Sequence, residues 1–143
     1  MSDIPVQIIL MRSDMASLNA GKGMAQAAHA SSVMAARFEN ASRGDDPIVI
    51  SHLLPVYEEW QQTTVQQFGT CLVLDGIDED TIRETMDAVS LTSLYGEIIH
   101  DPTYPVLDGT VCHHIPINTC AVIFGMKSET DSIPALQRLR LHV

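Results

Sequence analysis

The sequence predicts an α/β domain on a mixed four-stranded sheet. Three observations carry this. Four short apolar runs of strand length alternate with helix-patterned segments, in the order β-α-α-β-α-β-loop-β-α, which is the signature of a layered sheet-and-helix domain. The chain has 143 residues, the size of one domain, and 45% of them are hydrophobic, enough for a core. No internal repeat, low-complexity tract or linker divides it, so residues 1–143 read as a single domain.

The first strand is Val6 to Met11, VQIILM. A loop through Asn19 and Gly21 follows, and then a proline-free stretch rich in alanine and methionine. Those residues favour helix, which is expected from Lys22 or Gly23 to about Arg37. Its alanines make it thin enough to lie close to a sheet. Residues 39–47, ENASRGDDP, read as a turn-rich loop. Pro55 starts or breaks the next segment, with helix expected over Val56 to Gln67 and a stop at Gly69. Thr70 to Leu74 is the second strand. A helix over Asp78 to Val89 is expected because acids crowd its first turn and Ile82, Met86 and Val89 recur at helical spacing. Leu94 to Ile99 is the third strand, weakened by Gly96. Three prolines and Gly109 make Asp101 to Pro116 read as loop, and Ile117 to Phe124 is the fourth strand. A last helix spans about Ser128 to Leu139, limited or kinked by Pro134.

Composition excludes several classes. Eighteen acidic against eight basic residues give a formal charge of −10, which argues against a broad basic surface for nucleic acid. The three cysteines, Cys71, Cys112 and Cys120, form no CxxC pair, so reduced thiols and a cytoplasmic setting are expected. No apolar run approaches the roughly 18 residues of a membrane span, and the opening MSDIPVQ lacks the basic-then-apolar order of a secretory signal. His100, Cys112, His113 and His114 invite a metal reading. Adjacent side chains in the CHH run diverge, however, and no zinc-type pair spacing is present, so no metal is expected.

The most informative stretch is Ala20 to Ala30, AGKGMAQAAHA. Lys22, Gln26 and His29 stand at i, i+4 and i+7, one polar stripe flanked by alanines and placed after a strand. Such a stripe suggests a site facing a cleft. Its GKG lacks the spacing of a phosphate loop or a dinucleotide fingerprint, although its glycines permit close backbone approach.

VQIILMRSDM followed by AGKGMAQAAHA resembles the opening of the type II peptidyl-tRNA hydrolases. Arg12, Asp14, Gly21, Lys22, Gln26, Ala28, His29 and Ala30 match that pattern by type and position. INTCAVIFGMK and ALQRLRLHV are similar to the branch called peptidyl-tRNA hydrolase domain-containing proteins. The resemblance implies a three-layer α/β/α fold with a four-stranded mixed sheet, often dimeric. It implies cofactor-free, metal-free hydrolysis of the ester joining a peptide to tRNA, with tRNA or peptidyl-tRNA as partner. It further implies Lys22, Asp101 and Thr110 as catalytic residues, with Arg12, Gln26, His29 and Thr119 holding substrate.

The chain also departs from that pattern. The family follows its aspartate with glycine, arginine, threonine and glutamine, whereas Asp101 is followed by PTYPVLDGT, with Thr103 the one candidate for that threonine. The path from Asp101 to the last strand is about six residues longer than usual. With the acidic charge, this keeps a competing class open: a non-catalytic or repurposed member that binds a protein or small ligand through the same cleft.

Overall fold

A computed structural model describes residues 3–142. β1 (Pro5–Arg12) is apolar along nearly its whole length because it lies inside the sheet, with order β2-β1-β4-β3, and both its faces are covered. β2 (Cys71–Ile77) runs parallel to β1, while β4 (Val111–Met126) is antiparallel to both β1 and β3 (Tyr95–Asp108). The sheet is therefore mixed, as expected.

Strand alternation sorts the core into two layers. Ile9, Met11, Cys120, Val122 and Phe124 face α1 (Ala20–Ser42) and α2 (Leu54–Gln61), meeting Met34, Phe38 and Trp60. Ile8, Leu10, Ala121 and Ile123 face α3 (Glu79–Ser90) and the short α5 (Pro134–Gln137), meeting Ile82, Met86, Val89 and Leu136. Helices on both faces of a four-stranded sheet give the three layers.

α1 starts two residues before the expected start at Lys22, because Asn19 caps it by accepting from the Lys22 amide at 3.1 Å, and it absorbs the first residues of the supposed 39–47 loop. α2 is shorter than expected and enters through a 3₁₀ turn at Ser51–Leu53. Trp60 anchors it by donating to the Thr70 carbonyl at 2.9 Å. Gly69 lies directly against that indole, where a Cβ would come within 2.5 Å of Trp60. α3 begins as predicted, with Asp78 accepting from the Thr81 amide at 2.8 Å. The expected last helix is two pieces, α4 (Lys127–Asp131) and α5, divided ahead of Pro134.

The main correction concerns 101–116. It is not loop: β3 and β4 continue through it as a two-stranded hairpin that outruns β1, paired up to Asp108 and Val111. Gly109 at φ 62 and Thr110 form its two-residue tip. Prolines are tolerated because both strands have free edges there, so a missing N–H costs no ladder bond. Pro116 lies opposite an irregularity in the ladder, between the Asp101 and Tyr104 pairings. The outer edge of β2 is partly covered by the chain at 140–142, which bonds to Asp75 and Val73. Among the described residues, no helix is long and apolar enough to cross a membrane.

Candidate active site

The buried stripe of α1 runs Gln26, Ala30, Met34, Phe38 and Ala41, and Lys22 extends it one turn toward the N-terminus. The core-facing side of this helix thus turns polar where it passes the end of the β4 ladder. Gln26 is 2% exposed and Thr119 is fully buried, so each requires a partner. Thr119 Oγ1 donates to Gln26 Oε1 at 2.7 Å, and Gln26 Nε2 donates to Asp101 Oδ2 at 2.8 Å. The other carboxylate oxygen of Asp101 accepts the Thr103 amide at 2.9 Å. One hydrogen-bonded chain therefore links β4, α1 and β3.

A bulge makes this chain possible. Ile99 pairs with Cys120 and His100 pairs with Asn118, so Thr119 is an extra residue without a partner on β3. By simple alternation Thr119 would face away from Cys120, toward α3. The bulge re-aims it onto α1. Cys120 contacts the same turn, its thiol reaching the Gln26 carbonyl at 3.7 Å, and burial pushes that thiol up to about 11.

Burial acts to raise the Asp101 carboxyl, but the bonds from Gln26 and Thr103 and the nearby His29 outweigh it, leaving Asp101 below its usual value. It is a carboxylate at neutral pH. His29, Val33, Ile99, His100, Asp101 and Thr103 line a cleft of about 390 Å3 beside it.

Lys22 makes no ion pair with Asp101. Its Nζ donates to the Pro105 carbonyl at 2.8 Å and lies 5.4 Å from the centre of the Tyr104 ring. Tyr104 is fully buried, its hydroxyl 3.2 Å from Ser17 Oγ. The hairpin base thus holds the lysine, and two of the three ammonium hydrogens are left for other acceptors.

The structure brings together Gln26, His29, Asp101 and Thr119, with Lys22 one turn along α1 and its ammonium at the hairpin base. It does not bring Thr110 to them: at the hairpin tip, exposed, Thr110 is roughly 20 Å along the strand from Asp101. Arg12 lies at the end of β1 and is already engaged, bidentate to Asp14 at 2.8 and 2.9 Å and donating to the Asn118 carbonyl at 3.0 Å. Sequence reasoning missed Ser17, Tyr104 and the Pro105 carbonyl, since nothing in a proline-rich stretch marks a buried tyrosine as the base of a hairpin. Of the CHH run, Cys112 and His114 are 3.9 Å apart while His113 points across to Asp108 at 3.7 Å. No group of three or more His, Cys, Asp or Glu among the described residues could hold a metal.

A model of the family described as peptidyl-tRNA hydrolase PTH2 matches residues 5–135 of this chain. No curated protein matches it.

Proposed function

Because the chain belongs to the peptidyl-tRNA hydrolase PTH2 family, we propose that it hydrolyses the ester between a peptide and the 3′ ribose of tRNA, in the cytoplasm and without a resident metal. The observation that carries this reading is the Thr119–Gln26–Asp101 chain, centred on a helix residue one turn along α1 from Lys22.

The reaction needs a water directed at the ester carbonyl and a cation or donors for the oxyanion that forms. Asp101 is held by Gln26 and Thr103 with lone pairs left to accept from a water. A carboxylate of lowered basicity orients water better than it deprotonates it. Full proton transfer therefore accompanies carbon–oxygen bond formation instead of preceding it. The free hydrogens of Lys22 then meet the oxyanion. As the tetrahedral intermediate collapses, the ester bond breaks and the proton taken up at Asp101 passes to the leaving 3′ oxygen, giving free peptide and uncharged tRNA. His29 is assigned to holding substrate at this centre, while Arg12, at the end of β1, and Thr110, at the hairpin tip roughly 20 Å from Asp101, would meet only its more distant parts.

The Lys22–Pro105 bond also suits the competing reading, in which the hairpin base occupies the lysine and the cleft only binds. One assay separates the two. With N-blocked peptidyl-tRNA, Lys22→Ala and Asp101→Asn are each expected to slow release by about 10²- to 10³-fold, the usual cost of removing a group that meets transition-state charge. Release that is absent from the wild type, or unchanged in both variants, would end the hydrolase reading.

A further inference from the structure

The bulge that aims Thr119 is held from the opposite face of the sheet. The β1–β4 ladder ends at Met11 and Cys120, so β4 has no ladder partner on its β1 side where the extra residue enters. Three bonds fix Asn118 there instead. Arg12 Nη1 donates to its backbone carbonyl at 3.0 Å, and the Asn118 side-chain amide donates to Glu79 Oε1 at 2.9 Å. That leaves the Asn118 side-chain oxygen to accept from His100 Nδ1, also at 2.9 Å. Ile98 and His100 alternate onto the α3 face of β3, and Glu79 opens α3 itself.

Glu79 is a firm anchor. Asp78 caps the helix by accepting from the Thr81 amide, and Arg83 holds the Glu79 carboxylate at 2.6 Å. A bond to an ionised carboxylate is roughly twice as strong as one between neutral groups.

The unbulged register shows what these bonds prevent. In it, His100 would stand opposite Thr119 and Asp101 opposite Asn118, in place of the observed His100–Asn118 and Asp101–Ile117 pairs. A one-residue slip sends side chains to the other face, so Thr119 would point at α3 and Asn118 at α1. Asn118 would lose Glu79 and His100. Gln26 would lose the Thr119 hydroxyl that turns its amide toward Asp101. The two sets of bonds lie on opposite faces, yet they are made or lost together.

We propose that Asn118 is a positioning residue: pinned by Glu79 and His100, it holds the bulge that keeps Thr119 on Gln26 and so keeps Asp101 set for hydrolysis. The role rests on the hydrolase reading for its reaction, and Asn118 itself meets no substrate.

The test uses the full chain, N-blocked peptidyl-tRNA, and NMR of the Gln26 side-chain amide. Asn118→Ala is expected to lower kcat by about tenfold to a hundredfold, the cost of a slight misplacement at the reacting centre. KM should stay within about twofold, since no substrate contact is lost. In a Thr119→Val background the same change should cost less than about twofold, because the two residues act through one path. Asn118→Asp sets a second carboxylate against Glu79 and should lower kcat, and adding Glu79→Gln restores an amide donor and should recover most of it. The Gln26 amide signal should move the same way in Asn118→Ala and Thr119→Val. A raised KM with kcat unchanged, losses that multiply in the double variant, or no recovery on adding Glu79→Gln each overturn the proposal. Cleavage by the wild type that is unchanged in Asn118→Ala, with the Gln26 signal unmoved, overturns this role and leaves a hydrolase. No cleavage by the wild type, with the Gln26 signal moved in Asn118→Ala, supports the positioning and overturns the hydrolase.

Discussion

At the residue scale, Gln26 is the hinge of the site, since its two ends are assigned without ambiguity: the oxygen takes the Thr119 hydroxyl and the nitrogen serves Asp101. Thr119→Val removes the donor and strands Gln26 Oε1 in a buried place. The expected cost is about 1–3 kcal/mol, the penalty for an unsatisfied buried acceptor. Thr119→Ser keeps the hydroxyl and should keep most of the stability. Chemical denaturation of the two variants checks this, and equal losses would mean that the methyl contact, not the bond, is what matters. The Lys22–Gln26–His29 stripe was legible in the sequence because helical spacing alone puts those residues on one face. The aim of Thr119 was not legible, because it depends on one unpaired residue in a ladder whose register is set by β3. Asp101 was placed by resemblance, but nothing in the sequence marks Gln26 as its hydrogen-bond partner, since the two meet only through the fold.

The hairpin at 101–116 is the element that the sequence hid. Proline argues against a strand only where both edges of the strand are paired, and here β1 has already ended, so the usual inference fails. Its parts contribute unequally. Tyr104 is fully buried at the base, whereas Leu107 and Val111 are 70% and 55% exposed near the tip. Replacing residues 106–113 with Asn-Gly, which closes a hairpin on the Pro105–His114 pair, should therefore leave thermal stability within a few degrees of wild type. Tyr104→Ala, by contrast, opens a cavity and is expected to cost about 3–5 kcal/mol, the range for deleting a buried aromatic ring. A large loss on shortening the tip would show that the arm packs on something in solution. The helices were more legible than the hairpin because their signals are local: Asp78 caps α3 and Pro134 divides the final segment without reference to any distant residue.

Across the whole molecule, the folded state holds its carboxylates by local bonds while carrying a formal charge of −10. Asp14 is lowered chiefly by Arg12, Glu97 by Arg37, Asp78 by Thr81 and Glu79 by Arg83. A carboxyl whose folded value is lowered contributes stability that is complete above its unfolded value and lost as pH falls through the folded one. Against this, protonating the acids relieves their mutual repulsion, which would favour the folded state in acid. At 0.15 M salt the screening length is about 8 Å, so distant repulsions are damped while bonds near 2.8 Å are not, and the local bonds win. Stability should therefore be flat from pH 6 to 8 and fall below about pH 4.5, near the unfolded values of Asp and Glu. Glu97→Gln isolates one contribution, since its side chain is only 25% exposed and meets Arg37 through both oxygens, at 2.8 and 2.9 Å. At pH 7 the variant should lose about 1 kcal/mol, the upper end for a partly exposed pair. The gap to wild type should then close as pH drops below 4. Parallel melting curves across that window would mean that the acid limb comes from other groups.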